Sequence, residues 1–181
     1  MEKRPLLILD IDETLLHATE ISVQREFDFM VGELFVYVRP HVSSFLSSIN
    51  SEYELACWSS ATAQYLDAML AHILPNGIEL AFVWDRQRCT VRTDFTNQDQ
   101  YFLKDLRKLK RKGFDLRHLL ILEDEPRKVA RNYGNAIYVK PYFGQPHDDE
   151  LLKLEKYLLE IASTENFRSL DKRGWSKQTF R

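Results

Sequence analysis

Four short apolar runs, Leu6 to Ile11, Tyr53 to Trp58, Leu119 to Leu122 and Ala136 to Val139, constrain this chain more than any other feature. Between them, His41 to Ile49, Thr62 to His72, Gln98 to Lys110 and Pro126 to Tyr133 carry helical periodicity. Asp148 to Ile161 closes the series, with Leu151, Leu152, Leu154, Tyr157, Leu158 and Ile161 on one apolar face. Such alternation is the signature of a parallel sheet with crossover helices, so the expected fold class is α/β, a doubly wound parallel sheet. Two β-rich segments interrupt it. Phe27 to Val38, with Val31-Gly32-Glu33 at its middle, predicts a hairpin, and Glu79 to Asp94 predicts a second small insertion.

At 181 residues and 44% hydrophobic content, one domain with a sizeable core is expected over 1–162, followed by a partly ordered tail over 163–181 where periodicity fades. A net charge of -2 disfavours nucleic acid as an electrostatic partner. No stretch is long enough to span a membrane, and Asp10, Asp12 and Glu13 interrupt the first apolar run too early for a secretion signal. Cys57 and Cys89 are too few for a disulfide framework and lack metal-ligand spacing, which fits a reducing cytoplasm, or the nucleus of a eukaryotic cell.

The chemistry gathers where the runs end. Leu6-Leu7-Ile8-Leu9 leads into Asp10-Ile11-Asp12-Glu13-Thr14, at the strand edge where open α/β sheets bind ligands. Two carboxylates held close repel, and a hard cation such as Mg²⁺, bound by Asp10 and Asp12, resolves the repulsion while holding a phosphate oxygen. Asp10 can then attack phosphorus, dividing one displacement into formation and hydrolysis of an acyl phosphate. Asp12, its pKa raised by that neighbour, suits general acid and then base. A second run ends in Ser59-Ser60-Ala61-Thr62, hydroxyls at a helix start that can hold phosphate oxygens, Ser59 first among them. Lys104, expected on a helix, can neutralise Asp10 and the phosphoryl group. The third run ends in Glu123-Asp124-Glu125-Pro126, with Asp124 expected as a metal ligand and Glu123 expected to orient Lys104 or a metal-bound water.

These stations, in this order, resemble the haloacid dehalogenase superfamily. Within it, Asp10-Ile11-Asp12-Glu13-Thr14-Leu15-Leu16-His17, Val38-Arg39-Pro40, Trp58-Ser59-Ser60-Ala61, Tyr101-Phe102-Leu103-Lys104-Asp105-Leu106 and Ile121-Leu122-Glu123-Asp124-Glu125-Pro126 resemble the small phosphatases that act on the RNA polymerase II C-terminal domain. The resemblance covers roughly residues 5 to 160. It implies a capless Rossmann-like fold, Mg²⁺, and dephosphorylation of phosphoserine or phosphothreonine in proteins. It further implies that Asp12 binds metal through its backbone carbonyl, that Thr14 and Ser59 support the phosphate, and that Arg86 contacts substrate.

Two other readings remain open on sequence alone. A polynucleotide-end phosphatase would use a basic channel, to which Arg86, Arg88, Arg92, Arg127 and Lys128 could contribute. A non-catalytic binding module of the same fold need not retain a complete set of Asp10, Asp12, Thr14, Ser59, Lys104 and Asp124, all present here.

Overall fold

The computed structural model describes residues 4–94, 96, 98–132 and 134–177, so the first residues of the chain, the last of the tail and the end of the 126–133 helix lie outside it. The strands are β1 (Leu6–Leu9), β2 (Leu16–Thr19), β3 (Phe29–Val31), β4 (Leu34–Val38), β5 (Glu54–Trp58), β6 (Val83–Trp84), β7 (Thr90–Asp94), β8 (Asp99–Leu103), β9 (Leu119–Glu123) and β10 (Ala136–Tyr138). The helices are α1 (Val42–Ile49), α2 (Ala63–Ile73), α3 (Arg107–Lys110) and α4 (Glu150–Ile161). Five strands pair in parallel in the order β10-β9-β1-β5-β6. The chain winds from β1 out to β6, then returns to the other side of β1 for β9 and β10. That reversal leaves a crevice at the carboxyl ends of β1 and β9.

Alternation along each strand sorts the core into two faces. Leu7, Leu9, Leu55, Cys57, Leu120, Leu122 and Ile137 face α1, α2 and α4. Helix α1 meets them with Val42, Phe45, Leu46 and Ile49, and α4 with Leu151, Leu154, Tyr157, Leu158 and Ile161. Each such side chain contributes roughly 1.5–3 kcal/mol of burial. Phe167 and Trp175 join this cluster from beyond α4, and the Trp175 indole donates to the Tyr138 carbonyl at 2.7 Å. The opposite face carries Leu6, Ile8, Ala56, Trp58, Leu119, Ile121 and Ala136. Its cover is thinner: Trp84, Leu106, Leu109 and Val129 on turns and the short α3, with β7 and β8 alongside.

The hairpin expected at 27–38 is present as β3 and β4, joined across Gly32, whose φ of 60 is the left-handed geometry that two-residue hairpins need. It extends to β2 as a three-stranded antiparallel sheet.

Three expectations are corrected. Gln98 to Lys110 is not a helix: β8 pairs antiparallel with β7 over Asp99–Leu103, and only Arg107–Lys110 is α-helical. The β-rich partner Thr90–Asp94 and the aromatic pair Tyr101-Phe102 outweigh the helical spacing of Leu103, Leu106 and Leu109. Of the helix expected over Pro126 to Tyr133, the described residues 126–132 form only a 3-10 turn, Pro126–Val129, and Tyr133 lies outside the described residues. Val83–Trp84 is no insertion but the edge strand of the central sheet, where Trp84 sets its ring 4.9 Å from Trp58 at 85°. Both cysteines are buried free thiols, and among the described residues no helix is long and apolar enough to cross a membrane.

Candidate active site

The sheet register places the acids before any side-chain contact is considered. Leu6 pairs with Leu119 and Ile8 with Ile121, so Asp10 continues level with Glu123, on the same face as Leu6 and Ile8. That is the thinly covered face, where β8 ends and Lys104 begins. Asp10, Lys104 and Glu123 are each at most 1% exposed. The Lys104 ammonium donates to Asp10 Oδ1 and, at 2.7 Å, to Glu123 Oε2. Asn132 holds this segment by donating to the Lys104 carbonyl and accepting from Leu106 N–H at 3.2 Å. Lys104 therefore arrives on a strand end rather than on the expected helix. Burial works against its charge, but Asp10 and Glu123 outweigh burial and hold its pKa above the usual lysine value.

Beyond Asp10 the chain turns sharply. The N–H groups of Thr14 and Leu15 both donate to the Ile11 carbonyl, at 3.2 and 2.8 Å, with Glu13 in the left-handed region at φ 56. The turn brings the buried Thr14 hydroxyl back to Asp10 Oδ2 at 3.1 Å. Asp12, half-buried, points elsewhere: Tyr65 donates its hydroxyl to Oδ1 at 2.5 Å, and Ser59 to Oδ2 at 3.4 Å. Burial, then the neighbouring Asp10 charge, raises the pKa of Asp12, against the Tyr65 hydrogen bond and the two lysines, Lys128 and Lys104.

Edge strand β6 fixes Ser59, whose N–H donates to the Trp84 carbonyl at 2.9 Å, and Ser59 Oγ accepts from Ala61 N–H at 2.9 Å. Ser60 is half-buried in the same loop. Arg86 is exposed in the 3-10 turn Arg86–Arg88; its N–H donates to the Ala61 carbonyl at 2.9 Å and its guanidinium lies 5.4 Å from the Phe102 ring centroid. It stands beside the loop carrying Ser59 and Ser60.

Asp10, Glu123 and Asp124 offer carboxylate oxygens that all lie within 4.8 Å of one another. Their fit to a cation differs. Both Glu123 oxygens are engaged, one by Lys104 and the other by Glu125 N–H at 3.2 Å, whereas Asp124 Oδ1 is buried with no hydrogen-bond partner among the described residues. A buried orphan carboxylate oxygen beside other hard oxygen donors suits Mg²⁺. Burial, then Asp10, raises the pKa of Asp124, with Glu123 and Lys128 opposing.

Sequence reasoning missed two members of this group. Tyr65 reaches Asp12 from the first turn of α2, whose N-cap is the Thr62 hydroxyl. The other is Lys128, whose ammonium lies 3.7 Å from Glu123 Oε1. A hydroxyl on the first turn of a helix after Trp58 was the available signal for Tyr65. The pair Arg127-Lys128 after an acidic run was the signal for Lys128, legible only as general basicity.

A Rossmann-like α/β fold with buried acids at the carboxyl edge of its parallel sheet matches a haloacid dehalogenase-type phosphatase. The family profile described as "NLI interacting factor-like phosphatase" matches residues 5–168, and the chain belongs to that family. Among its relatives, CTD nuclear envelope phosphatase 1 of Xenopus tropicalis is 30% identical over 93% of this chain and 71% of its own length. The carboxy-terminal domain RNA polymerase II polypeptide A small phosphatase 1 of Homo sapiens is 26% identical over 91% of this chain and 62% of its own. A probable C-terminal domain small phosphatase of Dictyostelium discoideum is 28% identical, and this chain spans about half of it, 52%. The solved structure of Fcp1, described as an essential RNA polymerase II CTD phosphatase, shares the fold at a TM-score of 0.66 and 21% identity, over 88% of this chain and 62% of that one.

Proposed function

We propose that the chain is a Mg²⁺-dependent phosphomonoesterase that works through an aspartyl-phosphate at Asp10, with phosphoserine or phosphothreonine in a protein as its substrate. The observation that carries this reading is the setting of Asp10: a buried carboxylate at the sheet's carboxyl edge, with one oxygen on Lys104 and the other on Thr14. Those contacts orient the side chain, as a nucleophile requires. Asp10, Asp124 and the backbone carbonyl of Asp12 would hold the metal. Mg²⁺, when bound, offsets the mutual repulsion of the acids and the charge of a phosphoryl oxygen.

Asp10 attacks phosphorus as the bond to the leaving oxygen breaks, and Asp12 delivers the proton that oxygen needs. Asp12 then takes a proton from water, which attacks phosphorus and releases phosphate, restoring Asp10. Ser59 and Tyr65 orient the Asp12 carboxyl by donating to its two oxygens. The Ser59 and Ser60 hydroxyls and the Ser60 N–H, with Lys104, would face the equatorial oxygens, and Arg86 would contact the segment flanking the phosphorylated residue. Support for a protein substrate comes from the names of the relatives and from the lack of a cap domain among the described residues, which leaves the crevice open to a large chain.

Hydrolysis of p-nitrophenyl phosphate by wild type and by Asp10→Asn, with and without Mg²⁺, tests the reaction. Turnover that requires both Mg²⁺ and Asp10 is expected; a folded wild type inactive across roughly pH 5 to 8, the range in which an aspartate acid/base works, leaves a binding module. Phosphopeptides against 5′-phosphorylated oligonucleotides test the substrate, and preference for the oligonucleotide with steep salt dependence would overturn the protein assignment.

A further inference from the structure

Lys128 lies in the turn Pro126–Val129, just beyond Asp124. Its carbonyl accepts the Lys104 N–H at 2.7 Å, which fixes the strand end that delivers Lys104. Its side chain is 14% exposed and folds back toward the acids, with Nζ 3.2 Å from Glu125 Oε2 and 3.7 Å from Glu123 Oε1. The adjacent Arg127 does the opposite: its more exposed guanidinium bonds Asp99 and Glu125 and lies 5.3 Å from the Tyr101 ring centroid. Lysine is rarely buried to this extent unless something compensates the lost hydration. Burial opposes the charge here, but Asp10 and Glu123 outweigh it, assisted by Asp124, so the ammonium stays protonated.

We propose that Lys128 is a second fixed cation of the active site, placed against Glu123 beside the metal-holding Asp10 and Asp124, so that it weakens metal binding and strengthens binding of the phosphoryl dianion. This rests on the metal-assisted reading above. The charge balance shows what it contributes. Asp10, Asp12, Glu123 and Asp124 carry four negative charges when ionised; Lys104 and a divalent ion return three, leaving the site negative towards an incoming dianion. Lys128 offsets one charge of that excess. Glu125, which it also touches, is bonded by Arg127 as well.

Removing this cation moves two affinities in opposite directions, which a merely damaged site does not do. Calorimetric titration of Mg²⁺ into the full chain, and inhibition of p-nitrophenyl phosphate hydrolysis by inorganic phosphate at saturating Mg²⁺, are measured for wild type, Lys128→Met, Lys128→Gln and Lys128→Arg. Lys128→Met and Lys128→Gln are expected to bind Mg²⁺ about three- to tenfold tighter and phosphate weaker by a similar factor, as loss of one nearby charge predicts. Lys128→Arg is expected to restore both values. The proposal is overturned if both affinities are unchanged, if both weaken, or if Lys128→Arg behaves as Lys128→Met. If wild type binds no Mg²⁺, the metal reading falls together with it; if wild type binds Mg²⁺ and the neutral variants match it, Lys128 alone is misassigned. Thermal melts accompany each titration, and the neutral variants are expected to fold because the backbone carbonyl, not the side chain, holds Lys104.

Discussion

Two buried clusters of charge flank the loop after β1, and they follow opposite rules. Behind the loop, Arg39 is matched one to one: Nε and Nη2 bond the two Asp148 oxygens at 2.8 and 3.0 Å, Nη1 bonds the Thr14 carbonyl at 3.0 Å and Nη2 the Lys140 carbonyl at 2.9 Å. Its guanidinium also lies 5.4 Å from the Tyr142 ring centroid. In front, Lys104 is shared by Asp10 and Glu123, with Asp12, Glu13 and Asp124 close by and an Asp124 oxygen left orphaned among the described residues. A paired, fully bonded charge ties loops together. An excess of carboxylates is a standing repulsion that a metal and a phosphoryl group can turn into binding, the usual conflict between stability and function.

The largest effect that tests this contrast is catalytic. Asp10→Asn is expected to lower turnover of p-nitrophenyl phosphate by at least about a thousandfold while the protein stays folded by circular dichroism. Residual turnover within tenfold of wild type would remove Asp10 as nucleophile. Next is the balanced cluster. Arg39→Met leaves Asp148 and two carbonyls without their partner, and urea unfolding should show a loss of about 3 kcal/mol; a loss below about 1 kcal/mol would mean that water replaces the guanidinium.

The two clusters should also respond to pH with opposite signs. Burial alone would raise Asp148, but the Arg39 hydrogen bonds outweigh it and hold its pKa below the usual carboxylate value. Its stabilisation is therefore present above about pH 4, the unfolded value, and lost as pH falls through the folded one. Glu123 is pushed up to about 8, by burial first and Asp10 second, and Glu13 up to about 7, by burial first and Asp12 second. Here the folded state binds the extra protons, so metal-free stability should fall between about pH 4.5 and 8, by on the order of 1 kcal/mol or more. Urea midpoints across that range check it, and Mg²⁺ should flatten the decline. The smallest effect sharpens the point: Asp10→Asn leaves Lys104 and Glu123 as a balanced pair, and the metal-free variant should be more stable than wild type by about 1 kcal/mol. A loss of stability would mean that Asp10 is part of the scaffold.

What the sequence made legible follows from which forces act locally. Leu6–Leu9 and Leu119–Glu123 are buried strands because nearly every residue is apolar, and the acids that end them fall at the sheet edge by chain order alone. Asp10, Asp12, Asp124 and Glu123 could therefore be placed before any coordinates. Lys104 was found as a residue but set on the wrong element, because the pairing of β8 with β7 is a non-local contact that overrode a helical spacing. Val83–Trp84 was too short to announce an edge strand. Tyr65 and Lys128 were missed because their roles depend on where a side chain turns after the fold brings α2 and the turn beyond β9 to the same crevice. Phe167 and Trp175 dock as isolated aromatics, which leave no period to read.

The central claim is that phosphorus is handed first to Asp10 and only then to water. The most direct measurement is the steric course at phosphorus, followed with a substrate carrying a chiral, isotopically labelled thiophosphate in isotopically labelled water. Two in-line displacements predict net retention of configuration. Inversion would mean that water attacks the substrate directly, and the account of Asp10 as nucleophile would be wrong.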